Sequence, residues 1–357
     1  MKENILDQKN KIFANDPENM LSCIEEFPEQ VKDCWSKINK LIIPAGYINT
    51  KNIIVLGMGG SAIGGDLTRS LVNMNAKVSI HICRDYDLPQ FANSQTLVIA
   101  SSFSGNTEET VSAFNQAIER GCKLLGITGG GEIENLCKKN RIPYFKINYK
   151  SQPRAALGYS LISIIGILKK LNIFEISDND IKKAILEIYE LHEKINLGIA
   201  VSKNQAKELA IKVQDYIPLI IGSGTLVETA HRYKTQINEN AKQAAIHDCL
   251  PELNHNTIVG FDYPKNIKDN LFIIMLQSAY DHPRTKIRQQ IMIEIMSKKK
   301  IRFETIMFAP SSSALAEMLK MIYFGDYLSY YMAVLNKVDP TPVEPIQFLK
   351  DKLDKYK

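Results

Sequence analysis

The chain has 357 residues, 45% of them hydrophobic and 23% charged, and this composition excludes a disordered or low-complexity protein. Its 44 Lys and Arg against 39 Asp and Glu give a net charge of +5, which suits anionic metabolites but not nucleic acid, because no clustered basic stripe is present. No apolar stretch reaches the roughly 18 to 20 residues that span a bilayer, so we expect no membrane association.

Chain length and cysteine pattern indicate the number of domains and the compartment. A chain of this length favours two domains of roughly 150 residues each. The six Cys are scattered without paired spacing, which is typical of reduced thiols in a cytosol. The first residues show no basic segment followed by an apolar one, so no secretory signal is expected. We therefore expect a cytoplasmic protein.

The first half of the chain predicts a helical segment followed by a parallel sheet. Residues 1–50 are predicted to be an N-terminal helical segment. Short apolar runs at 53–56, 78–83, 96–100 and 124–128 are predicted strands, with helices over 62–74, 107–120 and 155–171. Continuous apolar strands separated by helices indicate a parallel sheet covered on both faces. We take 51–172 as the first domain.

The second half repeats this alternation. A helical connector over 173–204, with a helix at 178–194, precedes predicted strands at 217–221, 271–276 and 303–308. The second domain is predicted to be 205–357 and to close on a C-terminal helix over 346–356. The similar order of elements indicates duplication. The predicted fold class is therefore α/β, with two doubly wound parallel sheets, flanking helices and a C-terminal helix.

A glycine-rich segment, 57–66, follows the first predicted strand. Glycines allow positive φ angles and close approach of a ligand to a helix N-terminus. The spacing of Gly57, Gly59 and Ala62 also formally fits a dinucleotide fingerprint. An NAD-dependent dehydrogenase is therefore one alternative, which binding of a nicotinamide cofactor would support.

The third predicted strand runs into a hydroxyl-rich loop, with the sequence SSFSGNTEET at 101–110. Ligands of open α/β sheets bind at the carboxyl ends of strands, and hydroxyls beside a helix N-terminus can cradle a phosphate. The alternative is helix capping, with Asn106 or Ser104 as the N-cap and Glu109 closing a capping box. Capping needs a single hydroxyl, so the surplus favours a phosphate site.

These motifs resemble the sugar isomerase (SIS) superfamily and, within it, the bifunctional phosphoglucose/phosphomannose isomerase family. The hydroxyl-rich loop alone would indicate only the superfamily. Several later motifs narrow the resemblance to the family, and they follow in the expected order. The motifs that carry it are residues 57–66, 102–107, 152–154, 238–240, 252–256, 338–343 and 349–350.

The resemblance implies a role for each matching site residue. Glu239 would be the catalytic base, His255 the acid that opens the sugar ring, and Lys350 a further proton-transfer residue. Arg154 would face the reacting carbons. The residues expected to bind the substrate's sugar are Gly60 and Ser61, and those expected to bind its phosphate are Ser102, Ser104 and Thr107. Phe103 stands where the family commonly has Tyr.

The implied activity is aldose–ketose isomerisation of fructose 6-phosphate to glucose 6-phosphate and mannose 6-phosphate. Such a reaction passes through an enediolate, for which one carboxylate base suffices, with Arg154 stabilising the developing charge. We expect no metal, because this scheme requires none and the sequence has no His-x-His or His-Glu-x-x-His spacing. The resemblance implies no cofactor. The resemblance also implies a homodimer with shared active sites.

A non-catalytic SIS module that senses a phosphosugar is the remaining alternative. Such a module would keep the hydroxyl-rich loop at 102–107. It would not need Glu239, His255 and Arg154 together, and these three residues therefore discriminate between an enzyme and a sensor.

Overall fold

A computed structural model describes residues 4–72 and 76–356. Residues 73 and 74 of the predicted helix 62–74 therefore lie outside the described residues. The same holds for residues 1–3 of the N-terminal segment and for residue 357. The strands are β1 (Asn52–Leu56), β2 (Ser79–Cys83), β3 (Thr96–Ser102), β4 (Lys123–Thr128), β5 (Tyr144–Lys146), β6 (Ile217–Ser223), β7 (Ile246–Leu250), β8 (Leu271–Leu276) and β9 (Arg302–Ile306).

The helices surround two sheets. They are α1 (Lys9–Ala14), α2 (Met20–Glu25), α3 (Phe27–Ile38), α4 (Gly59–Val72), α5 (Glu108–Glu119), α6 (Gly131–Lys139), α7 (Leu157–Lys170), α8 (Asp178–Ile195), α9 (Gln205–Val213), α10 (Val227–Ala241), α11 (Ile267–Asn270), α12 (Pro283–Lys299), α13 (Ala314–Leu335) and α14 (Glu344–Leu353). Two short 3-10 helices, Pro153–Ala155 and Glu252–His255, carry the candidate site residues Arg154 and His255.

The first sheet is parallel, with strand order β2-β1-β3-β4-β5. All seven residues of β3 are buried, as continuous apolar strands predict for a sheet covered on both faces. The strand order reverses between β1 and β3, which opens a crevice at their carboxyl ends. This order is that of flavodoxin-like sheets, whereas dinucleotide-binding domains use 3-2-1-4-5-6. The topology thus disfavours the dehydrogenase alternative.

The second sheet is also parallel and has the order β7-β6-β8-β9. Strand for strand, this order matches the first four positions of the first sheet. The predicted fold class, two doubly wound parallel sheets with flanking helices, is therefore confirmed. The sequence analysis did not predict β5 or β7, and it placed the last strand at 303–308 rather than at Arg302–Ile306.

A long helix that the sequence analysis missed, α13, lies at the centre of the molecule. It packs against α8, α9 and α10, and nearly all of its 22 residues are buried. Because apolar residues surround such a helix, it lacks the one-sided pattern by which surface helices are recognised. Its tyrosine hydroxyls still find partners: Tyr331 donates to the carbonyl of Ile195 at 2.6 Å. None of the helices in the described ranges is both long and apolar enough to cross a bilayer.

The N-terminal helices brace the first domain. Helix α3 packs on α7 and α8. The Gln30 amide donates to the carbonyl of Ala155 at 2.8 Å and accepts from the Gly158 backbone N–H at 3.2 Å. The N-terminal segment thereby fixes the 3-10 helix Pro153–Ala155. Helices from both halves of the chain and from the connector share one hydrophobic core, so this core does not mark a boundary between domains. The domain limits 51–172 and 205–357 therefore stay a proposal.

Candidate active site

The hydroxyl-rich loop joins β3 to α5 at the crevice of the first sheet. The Ser102 and Thr107 hydroxyls lie 3.0 Å apart, and Ser102 Oγ also accepts from the Gly105 N–H at 3.1 Å. Thr107 is the N-cap of α5, but its side chain makes no capping bond. Asn106 Oδ1 accepts from the Glu132 N–H at 2.9 Å, so it binds the neighbouring loop instead. The capping alternative is therefore wrong for this loop.

Gly105 gives the loop its shape. Its φ is +76°, and a Cβ on this residue would lie 1.7 Å from the Gly130 carbonyl oxygen. A side chain could fit only if the two loops separated. Beside it, Ser104 Oγ accepts from the Asn106 N–H at 3.2 Å and lies at the exposed surface. Hydroxyls and backbone N–H groups thus converge at the start of α5, an arrangement that can bind an anion.

The glycine-rich segment connects this loop to the rest of the site. Ser61 Oγ accepts from the Phe103 N–H at 3.2 Å, and the Ser61 carbonyl accepts from Ser101 Oγ at 3.3 Å. A Cβ on Gly60 would lie 2.9 Å from the carbonyl oxygen of Pro153. Gly60 therefore allows the start of α4 to touch the backbone that carries Arg154.

Arg154 and Glu239 form the charged centre of the site. Arg154 is 3% exposed, and its Nε donates to Asn240 Oδ1 at 2.7 Å. Its Nη2 donates to the carbonyls of Pro340 and Thr341 at 2.7 and 2.8 Å. Its Nη1 lies 3.5 Å from Glu239 Oε2, whose side chain is 27% exposed. Burial lowers the pKa of Arg154, and the charge of Glu239 opposes that shift.

A buried ion pair that the sequence analysis missed holds the backbone of Arg154. Arg232 donates to both carboxylate oxygens of Asp326, at 3.1 and 2.7 Å, and its Nη2 also donates to the Arg154 carbonyl at 3.1 Å. Gln236 Nε2 adds a bond to Asp326 Oδ1 at 3.1 Å. The sequence feature that could have indicated this ion pair is Asp326 inside the apolar segment 314–335, since a buried charge needs a partner.

His255 is not near Glu239 within one chain. Helix α10 runs from the carboxyl edge of the second sheet back to its amino edge, where it carries Glu239. Strand β7 then returns to the carboxyl edge and leads into the 3-10 helix that ends at His255, an exposed residue. A five-residue strand spans about 16 Å, so the two side chains lie at opposite edges.

Lys350 lies on α14, at the surface. No residue of α14 is buried, and Ile346, Leu349 and Leu353 are between 43% and 57% exposed. Within the described parts of the chain, Lys350 has no hydrogen bond or ion pair with Arg154 or Glu239. The structure therefore brings together the hydroxyl loop, Gly60, Ser61, Arg154 and Glu239, and leaves His255 and Lys350 apart from them.

One cluster elsewhere has the composition of a metal site. Over residues 4–72 and 76–356, Asp66, Glu228 and His231 are the group of three whose ligand atoms lie within 4.8 Å of one another. Both carboxylates are already paired, because Arg69 Nη2 lies 2.7 Å from Glu228 and 3.3 Å from Asp66, and Arg84 also binds Asp66. We interpret this cluster as an ion-pair network between α4 and α10.

Comparison with known proteins gives a consistent result. Residues 202–353 match the family model of the bacterial phospho-glucose isomerase C-terminal SIS domain. The chain is 38% identical to the bifunctional phosphoglucose/phosphomannose isomerase of Caldicellulosiruptor bescii, covering 95% of this chain and 100% of that protein. The corresponding enzyme of Aquifex aeolicus is 30% identical, with 95% and 99% covered.

The solved structures extend the agreement to the fold. The tagatose-6-phosphate ketose/aldose isomerase of Escherichia coli superposes with a TM-score of 0.69 at 15% identity, covering 91% of this chain and 95% of that one. At this identity the likeness concerns the arrangement of helices and strands alone.

Proposed function

Because the chain belongs to the family of bifunctional phosphoglucose/phosphomannose isomerases, we propose that it interconverts fructose 6-phosphate with glucose 6-phosphate and mannose 6-phosphate. The observation that carries this proposal is the pairing of Arg154 with Glu239 at 3.5 Å, beside the glycine-rich segment that contacts the hydroxyl loop. A base, a fixed positive charge and an anion-binding loop are what isomerisation of a phosphosugar requires.

In the proposed mechanism, Glu239 moves the proton between the first two sugar carbons. The carboxylate removes the proton from one carbon, which leaves an enediolate, and returns the proton to the other carbon. The guanidinium of Arg154 stabilises the negative charge that develops on the two oxygens. Proton transfer and charge stabilisation are both supplied by side chains, so this scheme uses neither a metal nor a cofactor.

The substrate's phosphate is proposed to bind at the start of α5. Ser102, Ser104 and Thr107 would donate hydroxyl hydrogen bonds, and the helix N-terminus favours the negative charge. Gly60 and Ser61 would contact the sugar between the phosphate and Arg154. The contact of Gly60 with the backbone of residues 153 and 154 supports this order along the substrate.

Ring opening is proposed to use a second copy of the chain. His255 is exposed and lies at the edge of its sheet opposite Glu239, so His255 of the partner subunit would supply the acid in a homodimer with shared sites. Imidazole suits this task because its pKa is near neutrality. Lys350 on the exposed helix α14 is proposed to assist proton transfer. We keep the cytoplasm as the proposed compartment.

The test is a coupled assay of purified protein with fructose 6-phosphate in the presence of EDTA, following the two aldose products separately. Formation of both products is the expected result. A single product would keep the mechanism and narrow the substrate range. Loss of activity in EDTA that added metal restores would contradict the metal-free scheme. Phosphosugar binding without either product would favour the sensing module.

A further inference from the structure

Lys242 lies three residues after the proposed base, Glu239. It is the C-cap of α10, with a left-handed backbone (φ +55°, ψ 28°) that turns its side chain back along the helix. Its Nζ donates to the carbonyl of Glu239 at 2.5 Å and to the carbonyl of Pro340 at 3.2 Å. The side chain therefore bridges the last turn of α10 and the segment that follows α13.

This bridge acts on the same carbonyl that Arg154 binds. The Pro340 oxygen accepts from Arg154 Nη2 at 2.7 Å as well as from Lys242. Glu239 thus lies between two cations, with its carboxylate facing Arg154 and its backbone carbonyl held by Lys242. The last carbonyls of a helix lack partners within the helix, and a cation there also interacts favourably with the helix dipole.

The surroundings of the ammonium make it sensitive to pH. Burial lowers the pKa of Lys242 to about 8, with a further contribution from the charge of Arg154. The acidic groups that face it, Asp339, Glu239 and Glu344, oppose this shift. Because the pKa is lowered, the ammonium and its charge-assisted hydrogen bonds predominate below about pH 8, and as the pH rises through 8 they give way to a neutral amine that donates more weakly.

We propose that Lys242 is a positioning residue of the isomerase site, whose ammonium clamps the last turn of α10 to the carbonyl of Pro340 and so holds Glu239 against Arg154. This inference rests on the proposed function. Lys242 does not touch the reacting atoms and acts through the residues it holds. The clamp affects proton transfer more than binding, because the phosphate loop belongs to the other domain.

The first test removes the ammonium. Lys242→Met is expected to lower kcat about tenfold and to leave KM within about twofold, the pattern of a group that acts in the transition state. Lys242→Arg keeps the charge and the donors, so it should restore most of the lost kcat. The matched control is Lys300→Met, which removes an exposed lysine from the same left-handed C-cap position of α12.

The second test is the pH profile of kcat. In the wild type, kcat should fall as the pH rises through about 8. This limb should move to higher pH in Lys242→Arg, since guanidinium stays charged, and it should be absent from Lys242→Met. A merely structural lysine would lower stability without moving this limb. If Lys242→Met does not fold, the wild type and Lys242→Arg still decide the question.

The outcomes separate this inference from the proposed function. An active wild type together with an unchanged kcat in Lys242→Met, or with the same alkaline limb in Lys242→Arg, overturns the clamp alone. A wild type that isomerises neither aldose phosphate overturns both. A carbon-13 NMR titration of the lysine side chains checks the pH dependence separately: the signal lost in Lys242→Arg should titrate near pH 8, and a midpoint above 10 contradicts the predicted alkaline limb.

Discussion

The second sheet repeats the order of the first four strands of the first sheet, but the crevices at the carboxyl ends of the two sheets contain different side chains. In the first crevice the Ser102 and Thr107 hydroxyls face each other at 3.0 Å, beside a helix N-terminus. In the second crevice, between β6 and β8, Asp281 takes that place. Its Oδ2 accepts from Ser223 Oγ at 2.7 Å and from Gln289 Nε2 at 2.8 Å, and the residue is 5% exposed.

The difference teaches that a duplicated fold need not give a duplicated site. An internal carboxylate occupies the donors that a phosphate would need, and its charge repels a second anion. Glu317 adds another carboxylate nearby, because it accepts from Ser278 Oγ and from the Ala279 N–H. Topology supplies a crevice to each sheet, and a few polar side chains decide which crevice can bind a phosphate.

The second domain is proposed to contribute to catalysis through residues outside its own crevice. Its amino edge carries Glu239, next to Arg154 of the first domain, and its carboxyl edge carries His255. The first domain is therefore proposed to bind the substrate, and the second to supply proton transfer to two different sites. Each of the following predictions tests this division, from the largest expected effect to the smallest.

The largest effect should come from Glu239, the proposed base, and His255, the proposed ring-opening acid. Glu239→Gln should lower kcat between about 10² and 10⁴-fold while a phosphosugar still binds, because the hydroxyl loop is untouched. His255→Ala should impair the closed sugar more than an open-chain analogue. Mixing the two inactive variants should restore about a quarter of the wild-type activity, since half the dimers are mixed and each mixed dimer has one intact site.

The control for this mixture is a refolded sample of each variant alone, which should stay inactive. Activity is measured with fructose 6-phosphate after subunit exchange. No recovery in a mixture shown to contain mixed dimers would contradict the shared site, as would a stable monomer with full turnover.

A smaller effect is expected where the two domains are joined. Asp326→Asn leaves the buried guanidinium of Arg232 without its counter-charge, which should lower the free energy of unfolding by about 3 to 5 kcal/mol. Arg232 also donates to the Arg154 carbonyl and would no longer be held in place by the Asp326 carboxylate, so kcat should fall in the protein that remains folded. Denaturant unfolding measures the first change, and steady-state kinetics the second.

The matched control is an exposed pair. Asp262 is bound by Lys299 at 2.7 Å, and its side chain is 52% exposed. Asp262→Asn should therefore lower the free energy of unfolding by less than about 1 kcal/mol. Equal losses in the two variants would mean that Asp326 acts only as another surface charge.

The strands of the sheet centres could be predicted from the sequence because burial on both faces leaves a continuous apolar run, as at 53–56 and 271–276. Edge strand β7 could not, since His247, Asp248 and Cys249 interrupt its apolar residues. Helix α13 was missed for the opposite reason, because apolar residues on every side conceal its period. An element could therefore be predicted where its pattern of apolar residues is typical of a single kind of structure.

The candidate site divides in the same way. The loop at 102–107 and the glycines at 57–66 are contiguous, so their chemistry could be predicted from the sequence. The partners of Arg154 could not be predicted, because Asn240 and Pro340 are 86 and 186 residues away. Apart from the family resemblance, nothing in the sequence distinguishes Lys242 from Lys350 as a site residue. Only the fold shows that the Lys242 side chain reaches the turn that carries Glu239.

The comparison between the two crevices can be tested most directly with a pair of serines. Ser102→Ala removes a hydroxyl proposed to bind the substrate's phosphate, and hydrogen bonds to charged groups contribute about 1.5 to 3 kcal/mol. KM for fructose 6-phosphate should therefore rise by roughly 10 to 150-fold, with a smaller change in kcat. Ser223→Ala should leave KM unchanged, because that hydroxyl binds Asp281 instead.

The second serine should have a different effect, on stability. Without Ser223 the buried Asp281 carboxylate loses a donor, which should lower the free energy of unfolding by about 1 to 3 kcal/mol. KM and the free energy of unfolding are measured for both variants. The difference between the two crevices predicts that KM changes in Ser102→Ala and that stability changes in Ser223→Ala. If Ser223→Ala raises KM as much as Ser102→Ala, the second crevice also binds phosphate, and Asp281 does not close it.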